Sequence, residues 1–219
     1  MLQIFVGRFI LLTKKCTFAK SSNMKSYFLK FVIVILFSIL GCSLCAQEVV
    51  VPSYKNNVKI TLLSLGSGSC RVTYERAFSC KNSAELTIGR VGWGWDFIHH
   101  SESKGWLFKA AFKWNLIPMN GCNNWLAGFY VKPELVGTFF DYNYVDANEK
   151  LSRSHTSQWA LMAECGYQVV WKRFVFDVYA GLGPSFGTGN YNNYFHSFML
   201  FPKNSHIAFT SGFRIGIAF

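Results

Sequence analysis

The last strand of this chain alternates between two kinds of side chain with almost no exception. Residues 206–219 read HIAFTSGFRIGIAF, in which Ile or Phe fills every odd position except Ser211. From residue 208 the even positions hold only Ala, Thr, Gly and Arg214. Because successive side chains of a strand point to opposite faces, one face is oily and the other is small or polar. An oily face on a strand that ends the chain, at Phe219, predicts the closing strand of a barrel whose outside contacts lipid.

The N-terminal residues predict an export signal. Lys25 and Lys30 precede an apolar run at residues 31–40, and a stretch of small residues ends at Ala46. A basic start, an apolar run and a small-residue end are typical of a secretory signal peptide. The run is shorter than the roughly 20 residues that span a bilayer as a helix, which disfavours a retained anchor.

This signal divides the chain into segments and predicts export by the Sec route to the bacterial outer membrane. The segments are a start-site artefact or extended n-region at 1–23, the signal peptide at 24–46, a short periplasmic segment at 47–56 and the barrel at 57–219. Lipid attachment at Cys42 is the alternative to cleavage after Ala46.

The net charge of +11 does not indicate nucleic-acid binding. Residues 1–46 hold six basic residues and no acidic one, which leaves 16 Lys and Arg against 11 Asp and Glu in the mature chain. These charges are spread along the predicted strands without a basic run or a nucleic-acid motif. We therefore predict no nucleic-acid partner.

Alternation continues back from the last strand and predicts eight strands between residues 57 and 219. Their ranges are 57–66, 70–79, 84–92, 105–116, 125–140, 157–171, 173–187 and 206–219. An even number of strands suits a closed barrel, which leaves no unpaired edge in lipid. The predicted fold class is all-β, an eight-stranded antiparallel up-and-down transmembrane β-barrel.

The connections between the predicted strands alternate in length. Short links are expected on the periplasmic side, and the longer polar links at 93–104, 141–156 and 188–205 are expected outside. The first link, at 66–69, is short where an outer loop is expected. Aromatic side chains of the long loops either contact an extracellular ligand or surface partner, or form an interface belt. They are Tyr142, Tyr144, Tyr191, Tyr194 and Phe195.

Tryptophans are expected to mark both boundaries of the membrane. Trp106 and Trp159 fall at the outer end of their strands, and Trp114, Trp125 and Trp171 at the periplasmic end.

The register that points oily residues outward points charged residues into the lumen. The predicted inward charges are Lys59, Arg71, Glu75, Glu85, Lys109, Lys113, Lys132, Glu134, Glu164, Asp177 and Arg214. An eight-stranded barrel is only just wide enough for its own side chains, and buried ions require partners. The set therefore predicts a salt-bridged plug, with an ion or proton path as the alternative.

No motif of a soluble enzyme is present, and we predict neither enzyme activity nor a cofactor or metal. Two observations keep alternatives open. All five histidines fall in long loops or at a strand mouth, where a transition metal or haem is conceivable. Barrel enzymes that trim lipopolysaccharide use Ser, His and an acid near the outer leaflet. Those residue types occur as Ser154, His155 and Ser157 with Glu149, and as His99, His100 and Ser101 with Glu102.

Two cysteines fall in neighbouring periplasmic turns. Cys80 and Cys122 are candidates for a disulfide that joins the two hairpins, and free thiols are the alternative. The separation of the two Cα atoms determines whether the bond can form.

Several short motifs resemble a family of uncharacterised small outer-membrane proteins of Bacteroidetes, with barrels like those of OmpX and OmpA. They are the stretches 72–77 and 128–135, the pair Gly166-Tyr167 and the stretch 180–183. The last strand also resembles the terminal strand of bacterial outer-membrane barrels, where a final Phe serves as an assembly signal. The resemblance implies the location, the barrel and, at Phe219, contact with the barrel-assembly machinery. It implies no catalytic activity.

The sequence therefore predicts a monomeric outer-membrane barrel in contact with membrane lipid and lipopolysaccharide, with a structural or surface-interaction role. A lipid A-modifying barrel enzyme and a narrow channel are the alternative functions.

Overall fold

The computed structural model describes residues 54–96, 102–119, 124–145, 151–188, 194–201 and 204–219. The strands within these ranges are β1 (Asn56–Thr61), β2 (Ser67–Ala77), β3 (Asn82–Asp96), β4 (Lys104–Pro118), β5 (Gly128–Val145), β6 (Leu151–Trp171), β7 (Phe174–Thr188), β8 (Met199–Phe201) and β9 (Asn204–Ala218). No helix in the described ranges is long and apolar enough to cross a membrane. The predicted segments 1–23 and 24–46, and residues 47–53, lie outside the described residues.

The strands close into a barrel at a seam between β1 and β9. β1 to β7 pair in chain order, each antiparallel to the next, and β9 pairs with β7 on one edge and with β1 on the other. Phe219 extends the seam, because its N–H donates to the Asn56 carbonyl at 2.9 Å and its carbonyl accepts from the Asn56 N–H at 3.1 Å. The predicted all-β, eight-stranded antiparallel barrel is confirmed, with β8 as an additional short strand.

The barrel wall has an oily outside and a polar inside. Leu86, Leu161 and Leu182 lie on the outer face with 62%, 49% and 59% of their surface exposed. By contrast, none of the eleven predicted lumen charges is more than 5% exposed. A soluble barrel has the opposite polarity, because its apolar side chains fill the interior and its charges face water.

Aromatic side chains gather near the two ends of the outer surface. Trp159 packs edge-on against Phe139 with ring centroids 5.2 Å apart, and Phe139 pairs in register with Trp106. At the other end Trp114 and Trp171 are 43% and 63% exposed. The fifth tryptophan, Trp125, is half-buried at the inner mouth of the barrel, where it packs against an apolar cluster.

The first connection differs from its prediction. β1 ends at Thr61, and residues 62–66 form the turn, whereas the sequence predicts it at 66–69. The Ser64 hydroxyl donates to the Thr61 carbonyl at 2.6 Å, and the Ser64 carbonyl accepts from the N–H of Ser69 at 2.9 Å. Two adjacent leucines, Leu62 and Leu63, look like strand residues in the sequence, but they interrupt the alternation that a barrel strand requires.

The turn before β5 also differs from its prediction. The predicted strand begins at residue 125, whereas β5 begins at Gly128. Asn124 organises a turn, because its side-chain oxygen accepts from the Leu126 N–H at 3.1 Å. Gly128 has a φ of 141°, and a Cβ there would lie 2.3 Å from the Ile117 carbonyl oxygen, so the position requires glycine.

The predicted outer loop at 141–156 is mostly a two-stranded ribbon. β5 and β6 stay paired from Tyr142↔Ser154 to Val145↔Leu151, which leaves only residues 146–150 outside the described ribbon. Sequence alternation does not reveal this extension, because a ribbon with water on both sides has no oily face.

The predicted outer loop at 188–205 contains β8 and a segment that turns into the barrel. Residues 194–201, called the inward segment below, include Phe195 and Phe198, each 2% exposed. β8 pairs with the outer half of β9, with Leu200 opposite Ala208. Phe195 is therefore neither a surface contact nor part of a belt, and that expectation is wrong.

Candidate functional site

The lumen holds a network of ion pairs halfway along the barrel. Lys59 of β1 lies at its centre, with Nζ at 2.9 Å from Glu75, 2.6 Å from Glu85 and 3.1 Å from Asp177. The side-chain oxygen of Gln168 accepts a further hydrogen bond from Lys59 at 2.9 Å. Strands β1, β2, β3, β6 and β7 each contribute one of these five groups, so the network ties most of the wall together.

Glu75 shows how the buried carboxylates are satisfied. Besides Lys59, it accepts from Lys113 Nζ at 2.8 Å, Ser83 Oγ at 2.7 Å, Asn57 Nδ2 at 2.7 Å and Gln168 Nε2 at 3.1 Å. A buried carboxylate costs several kcal/mol unless it is paired and hydrogen-bonded, and these partners meet that requirement.

A second part of the network lies on the opposite wall. Lys132 Nζ contacts Glu85 at 2.6 Å, Glu134 at 2.8 Å and Glu164 at 3.1 Å. Lys109 pairs with Glu134 at 2.5 Å. Since Glu85 also contacts Lys59, the two parts form one network across the lumen.

Arg214 of β9 and two tyrosines complete this layer. The Arg214 guanidinium contacts Glu85 at 3.0 Å and Asp177 at 3.4 Å, and its centre lies 3.9 Å from the centroid of the Tyr179 ring. The Tyr130 hydroxyl donates to Asp177 at 2.6 Å. The predicted lumen charges named so far therefore form one network. Their position on the inward-facing side of each strand indicates this in the sequence.

Arg71 is the exception among the predicted lumen charges. It is 5% exposed, yet it forms no salt bridge with any carboxylate of the described residues. Its Nε donates to Ser69 Oγ at 3.2 Å, and its terminal nitrogen donates to the main-chain carbonyl of His196. Arg71 thus binds the inward segment in place of an acidic side chain.

An apolar layer closes the barrel above the ionic network. The inward segment contributes Phe195, Phe198 and Leu200 to a cluster that wall residues complete. The wall residues are Val91, Leu107, Val136, Phe140, Ala160, Met162 and Ala208. The expectation of an ionic filling missed this layer, because the sequence of a loop does not show that it folds inward.

A smaller apolar cluster closes the inner mouth. It joins Leu126 and Ala127 of the turn before β5 to inward residues at the strand ends. Those residues are Ala77, Val170, Val175 and Ala218. The described lumen therefore has three layers, with the ions held between two apolar clusters.

A second polar cluster lies on the outer face of the β5–β6 ribbon, beyond the outer tryptophans. Asp141 accepts from Arg153 at 2.9 Å and is 2.7 Å from His155 Nδ1. The hydrogen bond from His155, aided by the charge of Arg153, lowers the pKa of Asp141. Sequence reasoning named His155 but missed Asp141, since only the register of the strands reveals that they lie side by side.

The other candidate catalytic and metal-binding residues that the structure describes do not come together. Ser154 lies next to His155 in the strand and points to the opposite face. His196 is buried inside the barrel, with Nδ1 at 3.0 Å from the Ser67 carbonyl and its ring 4.8 Å from that of Phe140, whereas the ribbon cluster lies on the outer face. Glu149 and residues 99–101 lie outside the described residues. Within the described ranges, no group of three or more His, Cys, Asp and Glu is placed to hold a metal ion.

The cysteines within the described ranges fall into two kinds. Cys80 is disulfide-bonded, whereas Cys70 and Cys165 are free thiols. Cys122, the predicted partner of Cys80, lies outside the described residues, so their pairing stays a prediction.

These features define a closed antiparallel barrel with an oily coat and an ionic filling. Among solved structures, the chain is similar to the crystal structure of the N-terminal β-barrel domain of Pseudomonas aeruginosa OprF. The match has a TM-score of 0.43 and 9% sequence identity, and it covers 76% of this chain and 98% of that one. No protein-family model matches the chain, and no curated protein matches it.

Proposed function

We propose that this chain is a bacterial outer-membrane barrel with a closed lumen and a structural or surface-interaction role. The observation that carries the proposal is the polarity of the wall, whose outer face exposes Leu86, Leu161 and Leu182 while every predicted lumen charge is buried. Outside lipid, such a surface is an aggregation hazard, because exposed apolar patches on soluble proteins are small. The partners proposed are membrane lipid, lipopolysaccharide and, during insertion, the barrel-assembly machinery.

The three-layered filling favours a plug over a channel. Ions would have to pass two apolar clusters and break the contacts of Lys59 with its three carboxylates. Planar-bilayer recording of the refolded protein tests this, and we expect no unitary conductance. Regular single-channel steps from heat-modifiable, folded protein would contradict the plug and favour the channel.

The surface role is assigned to the ribbon formed by β5 and β6. In this ribbon, β5 continues beyond Asp141, which is its last residue paired with β4. Likewise, β6 begins before Ser157, which is its first residue paired with β7. Replacing residues 143–153 by a two-residue turn is expected to leave assembly intact and to abolish attachment of cells to purified lipopolysaccharide-coated surfaces. Unchanged attachment by correctly assembled protein would leave only the structural role.

The cluster on the ribbon favours lipid acyl hydrolysis as a second candidate function. His155 has a carboxylate on one ring nitrogen, and Ser157 lies on the same face of β6, two residues toward the membrane. Within the described residues no hydrogen bond joins the Ser157 hydroxyl to His155, so substrate binding would have to complete the relay. Mass spectra of lipopolysaccharide from cells that express the wild type or Ser157→Ala test this activity, because acyl hydrolysis lowers the mass of lipid A in the wild type alone. Identical spectra would dismiss the enzyme.

A further inference from the structure

The outer half of the barrel wall has a gap between β2 and β9. β1 ends at Thr61, opposite Arg214, whereas β9 continues outward to Asn204. β8 pairs with the outer half of β9 and occupies the edge that β1 leaves free. On the other side of the gap, residues 67–71 of β2 pair only with β3 among the described strands.

The inward segment closes this gap through hydrogen bonds to β2 and through the pairing of β8 with β9. The His196 carbonyl accepts from Arg71 and from Ser69 Oγ, the latter at 3.3 Å, and His196 Nδ1 lies 3.0 Å from the Ser67 carbonyl. On the β9 side, Thr210 Oγ1 donates to the Ser197 carbonyl at 3.2 Å. Moving residues 194–198 outward breaks these hydrogen bonds, while β1 to β7 and β9 stay paired with one another.

Behind the closure, the inward segment fills an apolar chamber. The rings of Phe195 and Phe198 lie 5.5 Å apart within the outer apolar cluster. The chamber is walled by side chains of β3, β4, β5, β6 and β9. Removing the two rings would leave space inside the barrel that is apolar and adjoins the gap.

The chamber has at its floor a cation, Arg71, that forms no salt bridge with a carboxylate of the described residues. Arg71 pairs with Gly89 of β3, which pairs with Leu107 of the chamber wall. The lumen holds six predicted basic residues and five acidic ones, and Arg71 is the basic residue without a carboxylate among the described residues. A buried guanidinium is the group best suited to bind a carboxylate by paired charge-assisted hydrogen bonds.

From the gap, the chamber and Arg71 together, we infer that the outer half of the barrel binds a single-chain anionic amphiphile of the fatty-acid type. The carboxylate takes the place of the His196 carbonyl on Arg71, and the acyl chain takes the place of Phe195 and Phe198. The ligand enters sideways from the outer leaflet, between β2 and β9, as the inward segment moves out. This inference rests on the proposed lipid-facing wall and goes beyond it.

Equilibrium binding of radiolabelled dodecanoate to the protein in nanodiscs of zwitterionic phospholipid tests the inference, with empty nanodiscs as the blank. We expect one saturable site per barrel. Arg71→Met should weaken binding at least about tenfold, because the charge-assisted hydrogen bonds are lost. The control Arg90→Met removes an outward arginine that lies 4.6 Å from the Trp106 ring, and it should leave binding unchanged.

A second variant keeps the test independent of any folding defect. Phe198→Ala removes part of the filling that competes with the acyl chain, so binding should tighten by about tenfold. The control Phe201→Ala removes an aromatic of the same segment that is 45% exposed, and it should have no effect.

The outcomes separate this inference from the proposed function. Barrels that insert into nanodiscs but bind no dodecanoate saturably, in the wild type and in Phe198→Ala, would overturn the inference alone. Equal affinity for dodecanol and dodecanoate, with no effect of Arg71→Met, would also overturn it. A chain that fails to insert into nanodiscs at all would instead contradict the outer-membrane proposal.

Discussion

At the scale of single residues, the stability of the barrel interior depends on the pairing of buried charges. Lys59 and Glu75 are each fully buried and each contact several groups of opposite charge or hydrogen-bonding capacity. Placing such ions in a low-dielectric interior is unfavourable on its own, so each charge depends on its neighbours. Removal of one partner is therefore more damaging than the removal of a surface charge.

Lys59→Met is expected to destabilise the barrel by about 3–5 kcal/mol, because three carboxylates lose a shared cation in a buried site. Urea unfolding in lipid vesicles, followed by tryptophan fluorescence, measures the change. The control Lys81→Met removes an exposed lysine from a turn and should shift stability by less than about 1 kcal/mol. Equal effects of the two substitutions would contradict the ionic network.

The ribbon cluster predicts a pH dependence at the outer surface. The hydrogen bond from His155 lowers the pKa of Asp141 below its usual value, with a further contribution from the charge of Arg153. Because the folded pKa lies below the unfolded one, this contact stabilises the ribbon above the unfolded pKa. The stabilisation is lost as the pH falls through the folded pKa.

Carbon-13 NMR titration of the Asp141 carboxyl group checks this prediction. In the wild type the midpoint should lie below that of an ordinary aspartate, and His155→Ala should move it upward. His206→Ala, a substitution at another exposed histidine, should leave it in place. The same midpoint in wild type and His155→Ala would show that the hydrogen bond does not form in solution.

At the scale of elements, strand closure depends on how near the backbones approach at the seam. A Cβ at Gly216 of β9 would lie 2.2 Å from the Val58 carbonyl oxygen of β1 and 2.8 Å from Lys59 Cγ. A backbone oxygen cannot move aside without breaking the ladder between the first and last strands. The seam therefore tolerates only glycine at this position.

Gly216→Ala is expected to lower the yield of closed barrel, because the first and last strands cannot pair at their native separation. The fraction of heat-modifiable protein on an unboiled gel measures closure. Ala180→Val, which adds two methyl groups at an exposed position on the outer face of β7, serves as the control and should close normally. Full closure of Gly216→Ala would contradict the geometry of the seam.

The sequence predicted elements well where one face of a strand is oily and poorly where it is not. The eight barrel strands and the burial of the lumen charges follow from a period of two. The outer ribbon was missed because both of its faces are polar, and the inward segment because Phe195 and Phe198 have no strand periodicity. Asp141 was missed because its partner is fixed by register, which a single strand does not reveal.

At the scale of the whole molecule, polar and apolar side chains are separated both along the barrel axis and across the barrel wall. Along its axis, an ionic network lies between two apolar clusters. Across its wall, oily side chains lie outside and polar ones inside. The proposed outer-membrane role and the inferred amphiphile site both depend on the second arrangement, since each needs lipid against the outer face.

Nuclear Overhauser contacts between protein methyl groups and lipid acyl chains, in nanodiscs, test this arrangement most directly. Leu86, Leu161 and Leu182 on the outer face should show strong cross-peaks to the acyl methylene protons. Leu107 and Val136, which are fully buried in the outer apolar cluster, should show none. Cross-peaks from Leu107 and Val136 with none from the three outer leucines would mean that the wall is inverted, which would contradict an oily coat around an ionic filling.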